Sequence, residues 1–312
     1  MTGILTFTPN PAIDVSTSVK QIIPTHKLRC SAARRDPGGG GINVARVIRR
    51  FGGEVTAVYP RGGITGQLLS RLVEREHIAS KTSEIAEETR QDFSVHEETS
   101  GQQFRFVLPG PALAEPEWRA CLDTLGAFAN RADFVVASGS LPPGVPLDFY
   151  ARACRIAKSA NAKFVLDTSG PALNAALMDG VYLIKPNLRE LSEVMGERID
   201  DEAAWVRACA GLVKGRRAEI VALTLGHRGA LLVDRDRVLR AEPLPITPLS
   251  SVGAGDSFLG AMVWSLAAGF DVEYAFRLGV AAGSSAVLNP GTELAHPEDT
   301  RRLLAAVVVR AL

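Results

Sequence analysis

The chain has little of what would commit it to a metal, a membrane or nucleic acid. Its 312 residues include four cysteines and five histidines. Cys30, Cys121, Cys154 and Cys209 are far apart and form no CxxC pair, which argues against structural zinc and for free thiols in a reducing compartment. The formal net charge is +1, so there is no electrostatic case for nucleic acid or an anionic membrane. "MTGILTFTPNPAIDV" has no basic n-region, and no uncharged apolar run reaches spanning length, so we expect a cytoplasmic globular protein. Two phosphate-binding signatures are missing as well. Nothing reads GxGxxG and no Gly-Lys dipeptide occurs, which sets aside a nicotinamide dehydrogenase fingerprint and a Walker A loop.

What is present is a large apolar fraction, 46%, in a chain long enough to bury roughly three quarters of its unfolded surface. Near-continuously apolar runs at 4–8, 55–59, 133–139, 163–168, 182–187 and 219–226 read as strands buried on both faces. Helical periodicity occupies 42–51, 66–76, 147–160, 189–195, 202–214, 256–268 and 273–288. This alternation predicts an α/β fold whose mostly parallel central sheet is flanked by helices, spanning 1–312 as one domain. One region departs from the rhythm. "RQDFSVHEETSGQQFRFVLPG" alternates with period two around "TSGQ", and "AIDVSTSV" and "KLRCSAAR" look like short strands of the same kind. Strands from about 11–36 and 89–108 would then form a small inserted β-sheet, a lid over one edge. Ligands in such folds collect at the carboxyl ends of the strands.

Several motifs stand there. "PGGGGINVARVI" opens a helix after Gly38, Gly39, Gly40 and Gly41; it reads as a close approach of backbone to an anion or as a mobile turn. "SGSLPPGV" places Ser138 and Ser140 after a strand, as turn residues or ligand contacts. In "KPNLRE", Asn187 and Glu190 have capping-box spacing, and Glu190 could equally hold a hydrated magnesium ion. "TLGHRGALLVD" is a tight hairpin or a nucleotide-facing loop. Arg90 and Arg105 sit on or beside the lid, solvated or as a phosphate clamp, with Arg105 on the face opposite Phe104 and Phe106.

"SVGAGDSFLGA" is the most informative stretch. Gly253, Ala254 and Gly255 leave backbone N–H groups exposed at a helix start, an anion hole suited to a transferring phosphoryl group. Asp256 at its lip can take the proton of an attacking hydroxyl. A simple N-cap would not require Gly-Ala-Gly before it, which favours the catalytic reading over capping.

Taken together, "GGGGINVAR", "SGSLPPGV", "KPNLREL", "TLGHRGAL" and "SVGAGDS" resemble, in order, the successive signatures of the phosphofructokinase B family of ribokinase-like sugar kinases. The resemblance covers nearly the whole chain. It implies ATP and Mg²⁺, transfer of the γ-phosphoryl to a sugar hydroxyl, and a homodimer through the β lid. "KLRC", "TRQ", "QFRFVLPG" and "GVAAGSSAVLNPGT" are similar to the branch that converts fructose 6-phosphate to fructose 1,6-bisphosphate. By that likeness Asp14, Gly38, Gly39 and Asn43 hold the sugar, and Arg90, Arg105 and Ser138 surround its phosphate. Lys27 lies near that phosphate or at a second, inhibitory ATP site. Lys185, Asn187, Thr224, Leu225, Gly226, His227, Arg228, Gly229 and Ser284 line the nucleotide pocket. Ser250, Val252 and Asn289 mark a monovalent cation site, K⁺, that would use carbonyl oxygens. Relatives acting on fructose 1-phosphate carry lysine where this chain has Gly40, which favours the 6-phosphate. A kinase for fructose 1-phosphate or tagatose 6-phosphate is the alternative, and a sugar-phosphate-binding regulator without catalysis is the alternative outside the class.

Overall fold

The computed structural model describes residues 3–250, 252–289 and 291–312. Its first strands are β1 (Ile4–Phe7), β2 (Ala12–Val19), β3 (Arg34–Gly38), β4 (Val55–Arg61), β5 (Ala79–Glu84), β6 (Arg90–Glu97) and β7 (Gln103–Phe106). They are followed by β8 (Phe134–Ser138), β9 (Lys163–Asp167), β10 (Val181–Ile184), β11 (Ala218–Thr224), β12 (Ala230–Val233), β13 (Val238–Ala241) and β14 (Val309–Ala311). The helices are α1 (Gly40–Arg50), α2 (Gly63–Arg75), α3 (Glu115–Ala129), α4 (Phe149–Ser159) and α5 (Gly170–Leu177). The remaining five are α6 (Leu188–Met195), α7 (Glu202–Lys214), α8 (Ala254–Ala267), α9 (Val272–Ala286) and α10 (Pro297–Leu304).

Ten strands form the central sheet in the order β14-β13-β12-β11-β10-β9-β8-β1-β4-β5. Pairing is parallel from β11 through β5 and antiparallel among β11, β12, β13 and β14. Its middle strands are apolar throughout because helices cover both faces. One face packs Trp118, Leu122, Phe149 and Leu212 from α3, α4 and α7. The other packs Ile42, Ile48, Leu69, Met262 and Phe276 from α1, α2, α8 and α9. Helix α8 is apolar nearly all round because α1 and α9 sandwich it. At Gly260 an added Cβ would lie 2.8 Å from Val47 Cβ, so that glycine sets how closely α1 and α8 approach. Among the described residues no helix is long and apolar enough to cross a membrane.

The expected lid is a second, four-stranded sheet in the order β3-β2-β6-β7. Strand β2 runs parallel to β6 and antiparallel to β3, and β6 and β7 form the expected hairpin. "AIDVSTSV" is β2, but the strand expected at "KLRCSAAR" is displaced. Residues 20–33 form an exposed loop, and pairing with β2 is made instead by Arg34–Gly38, whose Asp36 and Pro37 are buried. Exposed side chains gain nothing from pairing there, whereas β3 seals the junction of lid and body. Helix α3 lacked a sequence signal because Pro116 reads as a breaker. It occupies the first turn, where its missing N–H is no loss.

Candidate active site

Four parallel strands end on one side of the sheet and deliver Ser138 (β8), Asp167 (β9), Lys185 (just past β10) and Thr224 (β11). Opposite them α8 begins. Gly253 is its N-cap at φ 73°, a left-handed conformation that suits glycine, with no side chain capping the helix. The first intrahelical bond is Ser257 N to Gly253 O at 2.8 Å, so the amides of Ala254, Gly255 and Asp256 point out of the helix without helical acceptors. An added Cβ at Gly255 would lie 3.0 Å from Lys185 Nζ, so the ammonium stands directly beside these amides. Lys185 is only 7% exposed and pairs with Asp167 Oδ1 at 3.2 Å. Burial alone would depress its pKa, yet Asp167, Asp256 and Glu190 hold it above the usual lysine value.

Asp256 reaches over the same hole, and Asn43 Nδ2 donates to its Oδ2 at 3.0 Å. Burial, then the Asp167 carboxylate, push Asp256 up to about 6, while Asn43, Lys185 and Arg105 pull the other way. Asp14 stands at the centre of the lid, in register with Asp36 on one side and Asp92 on the other. Burial and Asp92 push it up to about 7, against Arg46 and Arg105. Gly38 passes so close that a Cβ there would overlap the Asp14 carboxyl group, and Gly39 turns at φ 100° against Thr8. The side-chain space at Gly40 is filled by the buried hydroxyl of Ser138.

The lid cations are placed less simply than expected. Arg90 donates to Leu108 O (2.8 Å) and Asn10 O (3.1 Å) and lies 3.5 Å from Asp92, leaving its buried Nε without a partner. Arg105 is exposed, with its charge acting on Asp14 and Asp256. It lies on the face away from Phe106, as expected, although that ring is itself 53% exposed. Lys27 is on the exposed 20–33 loop, and this single chain does not bring it to the site.

A cavity of about 640 Å³ opens from the anion hole. Asn187, Thr224, Gly226, His227, Gly229 and Ser284 line it, as expected. Three expected residues do not. Leu225 is buried in the core, Arg228 stacks over Trp205 at 4.8 Å, and Lys185 lies at the anion hole. The turn sends the Leu225 and Arg228 side chains to its far side, so the loop presents only part of its length to the cavity. The wall 243–248, "PLPITP", carried no sequence signal but closes the apolar side. Asn187 and Glu190 make the full capping box, Glu190 N to Asn187 Oδ1 at 3.0 Å and Asn187 N to Glu190 Oε2 at 2.9 Å. Ser250 Oγ lies 2.8 Å from Gly291 O, Val252 N donates to Ser250 Oγ, and Asn289 braces Ser285 and Leu294 carbonyls. The two loops of the expected cation site therefore meet. Sequence reasoning missed Asp167, although "VLDT" puts an acid at a parallel strand's carboxyl end, where ligands collect.

Amides, an ammonium and a raised carboxylate converge between a nucleotide-sized cavity and a cation-bearing lid, an arrangement able to pass a phosphoryl group to a hydroxyl. Residues 10–299 match the model of the pfkB family carbohydrate kinases. The chain belongs to that family. It is 44% identical over 299 residues to the ATP-dependent 6-phosphofructokinase isozyme 2 of Mycobacterium tuberculosis, covering 96% of this chain and 88% of that one. To the isozyme 2 of Escherichia coli it is 42% identical over 306 residues, covering 98% and 99%. The crystal structure of the E. coli phosphofructokinase-2 in complex with potassium matches with a TM-score of 0.94, 42% identity and coverage of 98% and 99%.

Proposed function

We propose that this enzyme is an ATP-dependent 6-phosphofructokinase, transferring the γ-phosphoryl of ATP to the C1 hydroxyl of fructose 6-phosphate. The observation that carries the reading is Asp256 at the open N-terminus of α8, with Lys185 beside the exposed amides. Asp256 takes the C1 proton. The amides of 254–256 and Lys185 meet the charge on the moving phosphoryl group. ATP occupies the cavity walled by Thr224, Gly226, His227, Gly229 and Ser284. Asp14, the Gly38–Gly39 backbone and Asn43 orient the sugar, and Arg105, Ser138 and the remaining donors of Arg90 hold its 6-phosphate at the lid. The sugar's far end then faces Asp256.

Magnesium fits this donor set in one form only. Among the described residues no three His, Cys, Asp or Glu side chains form a cage. Glu190 keeps Oε1 outside its cap, and burial and then Asp167 hold its pKa above the usual carboxylate value. Two half-buried carboxylates near the anion hole suit a hydrated ion held through waters and the nucleotide. That ion would neutralise β- and γ-phosphate charge. K⁺ would sit where Ser250 and Val252 approach Gly291 and Asn289. The chain pairs with a second copy through the apolar lid face, where Phe93 and Phe106 are exposed cross-strand partners.

Gly40 disfavours fructose 1-phosphate, because no lysine is present for a phosphate at the other end and Ser138 fills the space. The test is ATP-dependent ADP release with fructose 6-phosphate, tagatose 6-phosphate, fructose 1-phosphate and fructose. The highest kcat/KM should fall on fructose 6-phosphate. A preference for fructose or fructose 1-phosphate overturns the substrate, and no turnover with any sugar overturns the enzyme.

A further inference from the structure

Among the described residues the largest fully buried side chain is Arg46, 1% exposed in α1. Its guanidinium touches four places. Nε and Nη2 meet Glu76 Oε1 at 2.9 and 2.8 Å, just past the end of α2. Nη1 donates to Pro37 O of β3 at 3.2 Å and to Asn43 Oδ1 at 3.4 Å, and Nη2 lies 3.5 Å from Asp36. A structural ion pair needs only Glu76. The Nη1 bond to Asn43 is an additional contact, made possible because residues 43 and 46 share a face of the helix.

That contact has a directional consequence. Arginine offers donors only, so the Asn43 amide must turn its oxygen to Arg46 and its NH₂ to Asp256. The opposite orientation would put the amide oxygen against the carboxylate and a donor against a donor. We infer that Arg46 is a positioning residue for the catalytic base: it fixes the Asn43 amide, which in turn holds Oδ2 of Asp256 and leaves Oδ1 to take the proton. The inference rests on the reading of Asp256 as base. Lys185, Asp167, Arg105 and Asp14 also face or act on Asp256, and none of them touches the Asn43 amide oxygen. Losing Asn43's aligned donor should therefore raise the pKa of Asp256 without changing those charges.

Arg46→Lys keeps the positive charge and removes the Nη1 donor to Asn43. It should lower kcat about tenfold, equivalent to ~1.4 kcal/mol, with KM for both substrates within about threefold. The acid limb of kcat should move up by roughly 0.5–1 pH unit, since a hydrogen bond that favours the charged form is weakened. Asn43→Ala should move the limb at least as far, and adding Arg46→Lys to it should move it no further. If Arg46→Lys folds poorly, Arg46→Gln/Glu76→Gln removes the charge together with its main partner; because the Arg46 charge also acts on Asp14, it is compared within an Asp14→Asn background, where the same upward shift is expected. Leu125→Ala, a fully buried residue in the core on the other face of the sheet, is the control for loosening alone: a lower melting temperature with the limb unmoved. A limb at the wild-type position in any folded Arg46 variant, or in Asn43→Ala, overturns the inference, as does an equal shift in Leu125→Ala. Asp256→Asn is run alongside: if it retains turnover, the reading of the base fails, whereas an inactive Asp256→Asn with an unmoved Arg46→Lys limb sinks only the positioning role.

Discussion

Gly255→Val puts the anion hole to its most direct test. A Cβ at this position would stand 3.0 Å from Lys185 Nζ and 3.5 Å from its Cε. The ammonium cannot simply swing into solvent, because it is 7% exposed and tied to Asp167 at 3.2 Å. Valine adds two methyl groups beyond that Cβ, beside the amides of 254–256 where we propose that the transferring phosphoryl group lies. The variant therefore displaces the one ammonium at the hole and narrows access to the amides. Removing a single donor from such a hole typically costs about 10²–10³ in kcat; with ammonium and amides both affected, we expect a fall of about 10³. Gly255→Ala, whose Cβ only presses on Nζ, should lose about tenfold. Sugar-phosphate KM should stay within about threefold in both, because the lid is untouched. The assay is steady-state ADP release, with melting temperatures to establish folding. A folded Gly255→Val enzyme with kcat within tenfold of wild type would refute the reasoning, and equal losses in kcat and sugar affinity would show that the glycine serves packing.

Three further outcomes are expected. Asp256→Asn should keep fold and nucleotide binding while kcat drops ~10²–10⁴, the range for losing a general base; near-normal turnover would contradict it. As pH falls, Asp14 (near 7) and then Asp256 (near 6) lose their charge, so the acid limb of kcat/KM should reach a slope of about two below pH 6, and Asp14→Asn should reduce it to about one. Arg105→Ala should cost about 10- to 100-fold in kcat/KM for fructose 6-phosphate, from roughly 1.5–3 kcal/mol per charge-assisted bond, with little change on fructose and none in melting temperature. Arg90→Ala should show the same substrate dependence plus a lower melting temperature, because its bonds to Leu108 O and Asn10 O go too. Impairment of both variants equally on every sugar would remove the clamp.

The central sheet was legible because its parallel strands are buried on both sides, and an unbroken apolar run such as "FVVAS" has few other uses. Glycine clusters marked the turns at 38–41 and 253–255 because helix starts rarely need so many. Edge elements were not legible: β5, "ASKTSE", is held by its neighbour's backbone and by α3, with little apolar pattern of its own. Site residues divide along a similar line. Asp256 stands out in the sequence because the local motif and the chemistry proposed for it coincide. Asp167 and Arg46 do not, since their roles come from partners that no local motif displays: Lys185, 18 residues on, for the first, and Pro37, Asn43 and the distant Glu76 together for the second. Leu225 and Arg228 were misplaced because a loop's composition does not say which side chains face the cavity.

The acids of the lid explain why its arginines differ so much. Asp36, Asp14 and Asp92 lie in register across β3, β2 and β6, a row that would repel itself if every member were charged and unpaired. Side chains two apart on a strand, or opposite one another across a pair, share a face, so Arg34, Arg90 and Arg105 lie on the face of that row. Arg34 is committed to Asp36 and Glu293, and Arg90 to two backbone carbonyls and Asp92. Arg46, below them, is committed to Glu76. Arg105 has no ion pair among the described residues, yet it is near enough for its charge to act on both Asp14 and Asp256. A free sugar arriving at this face would meet carboxylates already balanced. A sugar phosphate brings a dianion, and on the proposed reading the cation left to receive it is Arg105 on β7, the lid strand farthest along its sheet from the β3 edge. On this account discrimination between fructose and its 6-phosphate resides in the uncommitted cation more than in the total positive charge of the lid. Moving a charge elsewhere on that face, as in Ser94→Lys opposite Arg105→Ala, should then restore part of the lost kcat/KM for the phosphate ester and none for fructose.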